Sequence, residues 1–339
     1  MRRQLILAAL ASQYWAMEPK YLATMSNVLQ RWSLGAPATP EVMEDVQAAQ
    51  SARATRQKAA ANVGGGIAVL TMYGVISQRA SMADDISGSG GTSTQKFTQA
   101  FRDAMTDDTI GGIIIDIDSP GGSVFGVQDL YSEIMAARGV KPVFGIANSL
   151  CASAAFWLGS ACQSLFVAPG GQVGSVGVYM QHVDATGAMA QDGLVSTFIS
   201  AGKYKVEGNS YEKLSDEALA FMQSQVDAYY SAFTTAIAKS RGVSISAVRD
   251  GMGQGRCLLD SDAVAAGMCD AVDNFDGVVK RMGKAMRSSR GTSASLESES
   301  PVAEEELGVI VNEVAIEPVI ASIEHRIAAR NREIELLAT

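Results

Sequence analysis

Ser153 and Lys205 are the two residues of this sequence whose types and spacing predict chemistry. Ser153 lies within the run Ser149–Trp157, and Lys205 follows 52 residues later at the end of Gly202–Lys205. A serine hydroxyl is a poor nucleophile until a neighbouring base takes its proton. A lysine can act as that base when burial or a nearby cation lowers its pKa toward neutrality. The pair therefore predicts covalent catalysis by a serine nucleophile with a lysine general base.

The small residues that follow Ser153 favour that role. Ala154, Ala155 and Gly159 predict a closely packed helix that begins next to the serine. A nucleophile at a helix N-terminus benefits from the positive end of the helix dipole, and the next backbone N–H, that of Ala154, can face an oxyanion. Small residues also permit a tight contact between helices, so this segment alone is equally typical of packing.

The segment Asp118–Gly122 follows Ile113–Ile117, which is typical of a buried strand. Two glycines after a strand expose backbone N–H groups that side chains would otherwise cover. The loop therefore predicts an oxyanion donor, and it predicts that Gly121 and Gly122 pair with an extended substrate. An ordinary turn has the same pattern, and we expect Asp118 to bond its own turn.

A second glycine-containing segment, Gly174–Val178, places a hydroxyl at Ser175 that could orient a lysine ammonium or a water. Glycine-rich strand edges are common, so this pattern is weak alone. Lys205 follows the strand-like stretch Val195–Ala201. Lys203 competes with Lys205 for the role of base, because residues two apart lie on the same side of a strand.

Composition excludes several classes of function. The chain has 339 residues, 47% of them hydrophobic, which is enough for one sizeable core with extensions. A net charge of -9 and a pI near 4.9 argue against nucleic-acid binding, which needs a basic face. The two histidines, His182 and His325, are far apart, which argues against a metal site and against a Ser-His-Asp triad. We therefore expect no metal and no cofactor.

The cysteines and the N-terminus bear on the compartment. The four cysteines have no CxxC spacing, and we expect small buried hydrophobes in a reducing compartment. The start, Met1–Ala11, resembles a signal peptide, but its apolar run is at the short limit for one. No stretch is long enough to span a bilayer, so we expect no stable membrane insertion.

Sequence patterns divide the chain into three sections. Residues 1–62 are expected to be a helical extension that ends in a solvated linker helix. Residues 63–286 alternate short apolar strands with amphipathic helices, which predicts a largely parallel α/β core. Residues 287–339 form a linker and an amphipathic tail, a candidate scaffold-like segment. The Ser/Glu-rich stretch Ser288–Pro301 should be disordered.

Individual elements of the core can also be predicted. Three apolar runs indicate buried strands: Ile67–Leu70, Ile113–Ile115 and Val143–Ile146. Apolar faces indicate helices over Phe97–Met105 and Val127–Ile134, and a long helix over 212–240 with Ser215 as its N-cap. The long helix should present one apolar face that includes Leu214, Ala218, Phe221, Met222, Tyr229, Phe233 and Ile237. The stretch Ser87–Ser93 is expected to be a flexible loop near the substrate entrance.

In order and spacing, the segment from about Gly66 to Val272 resembles the signal peptide peptidase A family of serine–lysine peptidases. The residues that carry this resemblance are the Ser119–Gly122 loop, the run around Ser153, Gly174–Val178, Lys205, and the closing segments Gly255–Leu258, Asp262–Ala263 and Ala266–Asp270. The resemblance implies a ClpP/crotonase-like fold and hydrolysis of peptide bonds without a cofactor. It also implies a homo-oligomeric ring whose active sites lie between neighbouring subunits.

Residue by residue, the resemblance implies Ser153 as the nucleophile and Lys205 as the general base. The N–H groups of Gly122 and Ala154 would form the oxyanion hole, and Ser175 would hold Lys205. Lys203 matches no catalytic position of the family. The sequence departs from the cellular members at Ala154-Ala155, where glycines are usual, and at Val173, where threonine is common. Because the backbone N–H donates, alanine at 154 should still serve.

The Trp15–Leu22 opening and the acidic tail are more similar to the capsid-assembly proteases of tailed phages, in which the protease precedes a scaffolding segment. That branch implies a head-maturation protease that cleaves capsid, scaffold or portal proteins in the host cytoplasm or the procapsid.

Three alternatives remain open. A host peptidase that degrades signal peptides would need membrane attachment, and a crotonase-like protein that binds an acyl thioester would not need Lys205. The third is an interaction protein with a vestigial site.

Overall fold

The computed structural model of the protein describes residues 14–21, 66–79 and 91–297, with side chains up to residue 288. The chain divides into two units, residues 1–292 and 293–339. The core elements belong to the first unit. Of the second, the structure describes the backbone of residues 293–297, which is the end of a helix.

Strands and helices alternate along most of the first unit. The strands are β1 (Trp15–Met17), β2 (Ile67–Tyr73), β3 (Ile76–Ser77), β4 (Thr92–Ser93), β5 (Gly112–Ser119), β6 (Gly121–Ser123), β7 (Val143–Ala152), β8 (Ser164–Val167), β9 (Gln172–Gly174), β10 (Cys257–Leu259) and β11 (Ala271–Val272). The helices are α1 (Thr94–Thr106), α2 (Val127–Ala137), α3 (Ala154–Ser160), α4 (Thr186–Gln191), α5 (Asp216–Arg241), α6 (Ile245–Gly251), α7 (Asp260–Ala265) and α8 (Phe275–Glu297).

Parallel strands form the centre of the larger sheet. β2, β5 and β7 lie side by side in parallel, with Ile115 opposite Leu70 on one side and opposite Gly145 on the other. The first half of β7 pairs with β8 and its second half pairs with β9. Parallel neighbours require crossover connections, which α1, α2 and α3 provide. The predicted α/β core of parallel sheet and helices is confirmed.

The central strand β5 is buried on both faces, which explains its unbroken apolar start. Ile113, Ile115 and Ile117 pack in the main core, while Ile114 packs in a second cluster on the opposite face. That second cluster is closed by the start of α8, whose Met282 is fully buried. A strand that is covered on both faces reads as a continuous apolar run instead of an alternating one.

Several predicted elements are confirmed. The strands predicted at Ile67–Leu70, Ile113–Ile115 and Val143–Ile146 are parts of β2, β5 and β7, and the helices predicted around Phe97 and Leu130 are α1 and α2. Ser215 is the N-cap of α5, and its hydroxyl accepts the N–H of Ala218 at 3.1 Å. Among the described residues, none of the helices combines the length and the apolar character that crossing a bilayer requires.

Three predictions near the chain ends and the loops are wrong where the structure describes them. Trp15–Met17 form a strand and not a helix, because pairing with other segments overrides the local pattern. Thr92 and Ser93, expected in a flexible loop, form the buried strand β4, while Ser87–Gly90 lie outside the described residues. Helix α8 runs through Glu297, so residues 288–297 are helical where disorder was expected. Extending a helix that already exists avoids the cost of nucleation.

The remaining end segments, residues 1–13, 22–65 and 298–339, lie outside the described residues, and so do the predictions made for them. The apolar face predicted for α5 is confirmed in its second half and only in part in its first half, where Ala218 is buried. Phe233 and Ile237 are fully buried, whereas Phe221 is 58% exposed.

Arg138 joins the ends of two helices. Its guanidinium donates to the carbonyl oxygens of Ser160, Ala161 and Cys162 at the end of α3, and to that of Ser240 at the end of α5, at 2.7–3.0 Å. All four acceptor residues are buried. Helix C-termini carry carbonyl groups without intrahelical partners and a partial negative charge. The half-buried guanidinium of Arg138 donates to these carbonyl groups and offsets their charge.

Replacing Arg138 with methionine should lower the free energy of unfolding by about 3 kcal/mol or more, because several buried carbonyl groups lose their donor. The matched control is Arg102→Met, which removes an ion pair to Glu133 at the surface. That control should cost about 1 kcal/mol or less. Urea unfolding of both variants measures the difference, and equal costs would contradict a structural role for Arg138.

Candidate active site

Ser153 stands at a sharp junction between a buried strand and a helix. β7 ends at Ala152 and α3 begins at Ala154, and Ser153 between them has φ 55° and ψ -117°. Positive φ is unfavourable for a residue with a side chain and is often found where function demands a fixed geometry. The backbone N–H of Ser153 donates to the carbonyl of Gly174 at 2.7 Å, and its carbonyl accepts the N–H of Trp157 at 2.9 Å. The strained backbone is therefore held from both sides.

The Ser153 hydroxyl is nearly enclosed. The residue is 1% exposed, and Oγ lies 3.4 Å from the carbonyl oxygen of Gly177, its one hydrogen bond within the described residues. The N–H of Ala154 belongs to the first turn of α3, where backbone donors have no intrahelical acceptor. A backbone N–H without an intrahelical acceptor therefore directly follows Ser153, and its role as an oxyanion donor stays a prediction.

The loop at Gly121 presses against the main chain beside Ser153. Gly121 has φ 92°, and a Cβ built on it would lie 2.9 Å from the carbonyl oxygen of Ala152 and 3.0 Å from the amide nitrogen of Ala154. A Cβ on Gly122 would lie 1.9 Å from the carbonyl oxygen of Ile76. Backbone conformation and space therefore both require glycine here, and the loop lies next to the predicted nucleophile.

Ser119 positions this loop, and the sequence argument missed it. Its hydroxyl donates to the carbonyl of Gly74 at 2.6 Å and accepts the N–H of Gly121 at 3.2 Å. The register between β5 and β7 shifts just before Ser119, which pairs with Cys151. The Gly121 amide is thus already engaged, which leaves Gly122 as the oxyanion donor candidate of the loop. Asp118 accepts a hydrogen bond from Ser149 rather than bonding its own turn, which corrects our expectation.

Ser175 is held by the closing segment of the fold. β9 ends at Gly174, and Ser175 has φ 55° and is 5% exposed. Its N–H donates to the carbonyl of Arg256 at 2.9 Å, next to the start of β10. Residues 175–178 belong to no helix or strand, and the following residue, Tyr179, forms an isolated bridge with Trp15. Ser175 therefore lies near Ser153 on the chain segment that carries Gly174 and Gly177.

Lys205 is an exposed residue of a turn, in contrast to the buried Ser153. Its N–H donates to the carbonyl of Gly202 at 3.1 Å, and no hydrogen bond within the described residues joins its ammonium to Ser153 or Ser175. Val195–Ala201, which resemble a strand in sequence, form no strand in the structure and are exposed. Within the described residues, the buried Ser153 hydroxyl and the exposed Lys205 are therefore not joined by a hydrogen bond.

The ammonium group of Lys203, the competing lysine, is hydrogen-bonded to two other residues. Its ammonium donates to the hydroxyl of Tyr204 at 2.6 Å and to Glu217 at 3.0 Å. These bonds, that to Tyr204 first, raise the pKa of Lys203 above its ordinary value. A lysine with a raised pKa stays protonated at neutral pH and cannot accept a proton.

The cysteines are not alternative nucleophiles. Cys151, Cys162 and Cys269 are buried, as predicted, and burial raises the pKa of the Cys162 and Cys269 thiols to about 12. Burial likewise raises the pKa of Cys257 to about 12. A thiol with such a pKa is protonated at neutral pH and therefore unreactive.

Part of the chain matches the model of a known protein family. Residues 136–288, which include Ser153, Ser175 and Lys205, match the model of Peptidase family S49. The chain carries a peptidase family S49 domain. The Asp118–Gly122 loop precedes the matched residues. In the structure it nevertheless lies beside Ser153.

Two curated relatives of the chain come from phages. It is 32% identical over 320 residues to the head-tail preconnector protein GP5 of Enterobacteria phage P21, and 31% identical over 282 residues to capsid assembly protease C of Escherichia phage lambda. These matches cover 90% and 80% of this chain, and 63% of each relative's own length. They confirm the predicted resemblance to this peptidase family and to its capsid-assembly branch.

A solved structure is also similar at low level. The 1510-N membrane-bound stomatin-specific protease is 14% identical, with a TM-score of 0.37 over 62% of this chain and 80% of that one. The family match supports the S49 domain, and the pairing of the described strands supports the parallel α/β core.

Proposed function

We propose that this protein is a serine endopeptidase in which Ser153 is the nucleophile and Lys205 the general base. The observation that carries the proposal is the junction at Ser153. A buried hydroxyl on a strained backbone lies between the helix amide of Ala154 and the glycine loop that holds Gly122. Such a pair of main-chain donors can stabilise the oxyanion of a tetrahedral intermediate.

The reaction follows from these roles. Ser153 Oγ attacks the carbonyl carbon of a peptide bond while Lys205 takes the hydroxyl proton. The N–H groups of Gly122 and Ala154 hold the oxyanion, and the C–N bond breaks as Lys205 passes the proton to the leaving amine. Water then hydrolyses the acyl-enzyme ester, with Lys205 again as base. The steps use side chains and main-chain N–H groups of this protein together with one water, and deacylation returns a proton to Ser153 Oγ.

We infer that a second copy of the chain supplies Lys205. The lysine lies in residues 192–215, a stretch without helix or strand, and its neighbours expose large apolar side chains to solvent. Val195 is 92% exposed and Ile199 is 99% exposed, which is costly for an isolated surface. Packing this stretch against another subunit would bury those residues and carry Lys205 toward that subunit's Ser153. A lysine that becomes buried loses solvation of its charged form, which favours the neutral amine that a base requires. Ser175 would then accept a hydrogen bond from it.

The substrates are proposed from the relatives. The names of the two phage proteins refer to capsid assembly and to the head–tail connection, and we propose that this protein cleaves capsid, scaffold or portal proteins during head maturation in the host cytoplasm. The tail, residues 287–339, is proposed as a segment that binds such partners.

A fluorophosphonate probe tests the catalytic proposal. The purified protein should form one covalent adduct, located at Ser153 by peptide mass spectrometry, because only an activated serine reacts. Ser149→Ala should label as the wild type does, and Ser153→Ala should not label. An adduct at another serine, or none on a folded and assembled protein, would refute Ser153 as the nucleophile.

A further inference from the structure

Strand β1 lies between two segments of the active site. Its residues Trp15–Met17 pair antiparallel with Gly121–Ser123 of β6. On its other edge, Trp15 donates its N–H to the carbonyl of Tyr179 at 2.8 Å and accepts the N–H of Tyr179 at 3.0 Å. Tyr179 lies two residues after Gly177, whose carbonyl oxygen contacts the Ser153 hydroxyl. A three-residue strand thus fills the gap between the glycine loop and the segment after Ser175.

The register places the carbonyl of Ala16 at the predicted oxyanion hole. Ala16 is opposite Gly122, and the flanking pairs are bonded, Val124 N–H to Tyr14 and Glu18 N–H to Pro120. Bonded pairs alternate in an antiparallel ladder, so the Gly122 N–H points at the Ala16 carbonyl oxygen. That oxygen lies 2.2 Å from the Cβ position built on Gly121, and the Ala154 amide nitrogen lies 3.0 Å from the same point.

The side chains of β1 are held as firmly as its backbone. Trp15 is 4% exposed, Ala16 0% and Met17 1%, although the segment is more than 100 residues from β6 in sequence. Tyr14, just before the strand, packs its ring 5.2 Å from that of Tyr229. The backbone oxygen of Ala16 is the atom nearest to the Cβ position built on Gly121.

We propose that residues 14–18, the resident strand, occupy the groove in which a peptide substrate would bind, and that they must leave before a substrate can enter. The proposal rests on the serine peptidase function proposed above. Strand addition to an open edge is a common mode of peptide binding, and a gap with two such edges accepts one strand at a time. Because the resident strand is part of the same chain, it competes at a high effective concentration.

A peptide-binding measurement on catalytically silent protein tests this inference. All variants carry Ser153→Ala, so that no turnover occurs, and the probe is a fluorescent peptide with the sequence of residues 12–20, Ser-Gln-Tyr-Trp-Ala-Met-Glu-Pro-Lys. Adding Ala16→Glu puts an unpaired charge at a fully buried position and should expel the resident strand. The peptide should then bind at least about tenfold more tightly than to Ser153→Ala alone.

The matched control is Ala136→Glu, the same substitution at an exposed position of α2. It should leave peptide affinity unchanged. Equal affinities for the Ala16→Glu and Ala136→Glu proteins, or no binding to either, would overturn the proposal.

Hydrogen exchange keeps the test decisive if Ala16→Glu fails to fold. In the Ser153→Ala protein, saturating peptide should speed exchange of the Trp15–Met17 amides, because the peptide replaces them. Bound peptide with unchanged protection of these amides would show that β1 is a permanent part of the fold. Since both readouts measure binding, they remain informative even if the fluorophosphonate test refutes the catalytic proposal.

Discussion

Lys205→Ala should lower peptidase turnover by about 10³-fold or more, because the loss of a general base leaves the Ser153 hydroxyl protonated during attack. Lys205→Arg should be equally inactive, since a guanidinium stays protonated at any working pH. The matched control is Lys203→Ala, two residues away, whose ammonium is bonded to Tyr204 and Glu217. Turnover of the control should stay within about threefold of the wild type, as expected for a surface ion pair outside the site.

A loss of stability should not account for a loss of turnover in Lys205→Ala. Lys205 is exposed in a turn, so its truncation should change the free energy of unfolding by about 0.5 kcal/mol or less. Initial rates on an unfolded protein substrate, measured with equal concentrations of assembled enzyme, give the result. If Lys205→Ala keeps near-normal turnover while Lys203→Ala loses it, the roles of the two lysines have been assigned the wrong way round.

The sequence predicts the centre of the fold well because its signals are local. The isoleucines of β5 and the valine and isoleucine of β7 form short β-branched apolar runs, which are typical of buried strands. The surroundings of Ser153 are predictable for the same reason. Gly121 has a positive φ and no room for a side chain, and Gly122 has no room for one.

What sequence reasoning misses depends on distant partners. β1 looks helical in isolation, and its strand conformation comes from β6 and Tyr179, which are more than 100 residues away. Ser119 looks like any turn serine, although its hydroxyl links Gly74 to Gly121. Neither contact leaves a periodic pattern in the chain, so only the three-dimensional structure reveals them.

The stretch before Lys205 shows a different limit. Val195–Ala201 has the composition of a strand, yet the described chain gives it no strand partner and leaves Val195 and Ile199 exposed. β-propensity measures how well a side chain packs on a sheet, so it has no effect where no neighbouring strand is available. We propose that the neighbouring subunit supplies the missing contacts.

Mixing two inactive variants tests the dyad between subunits, the central claim, most directly. Ser153→Ala protein retains Lys205, and Lys205→Ala protein retains Ser153. After subunit exchange in equal amounts, about a quarter of the interfaces should pair the intact serine with the intact lysine and recover that share of wild-type turnover. The control mixture, each variant with the double variant, should stay inactive. No recovery in oligomers shown by native mass spectrometry to be mixed would place both residues in one subunit and contradict the account.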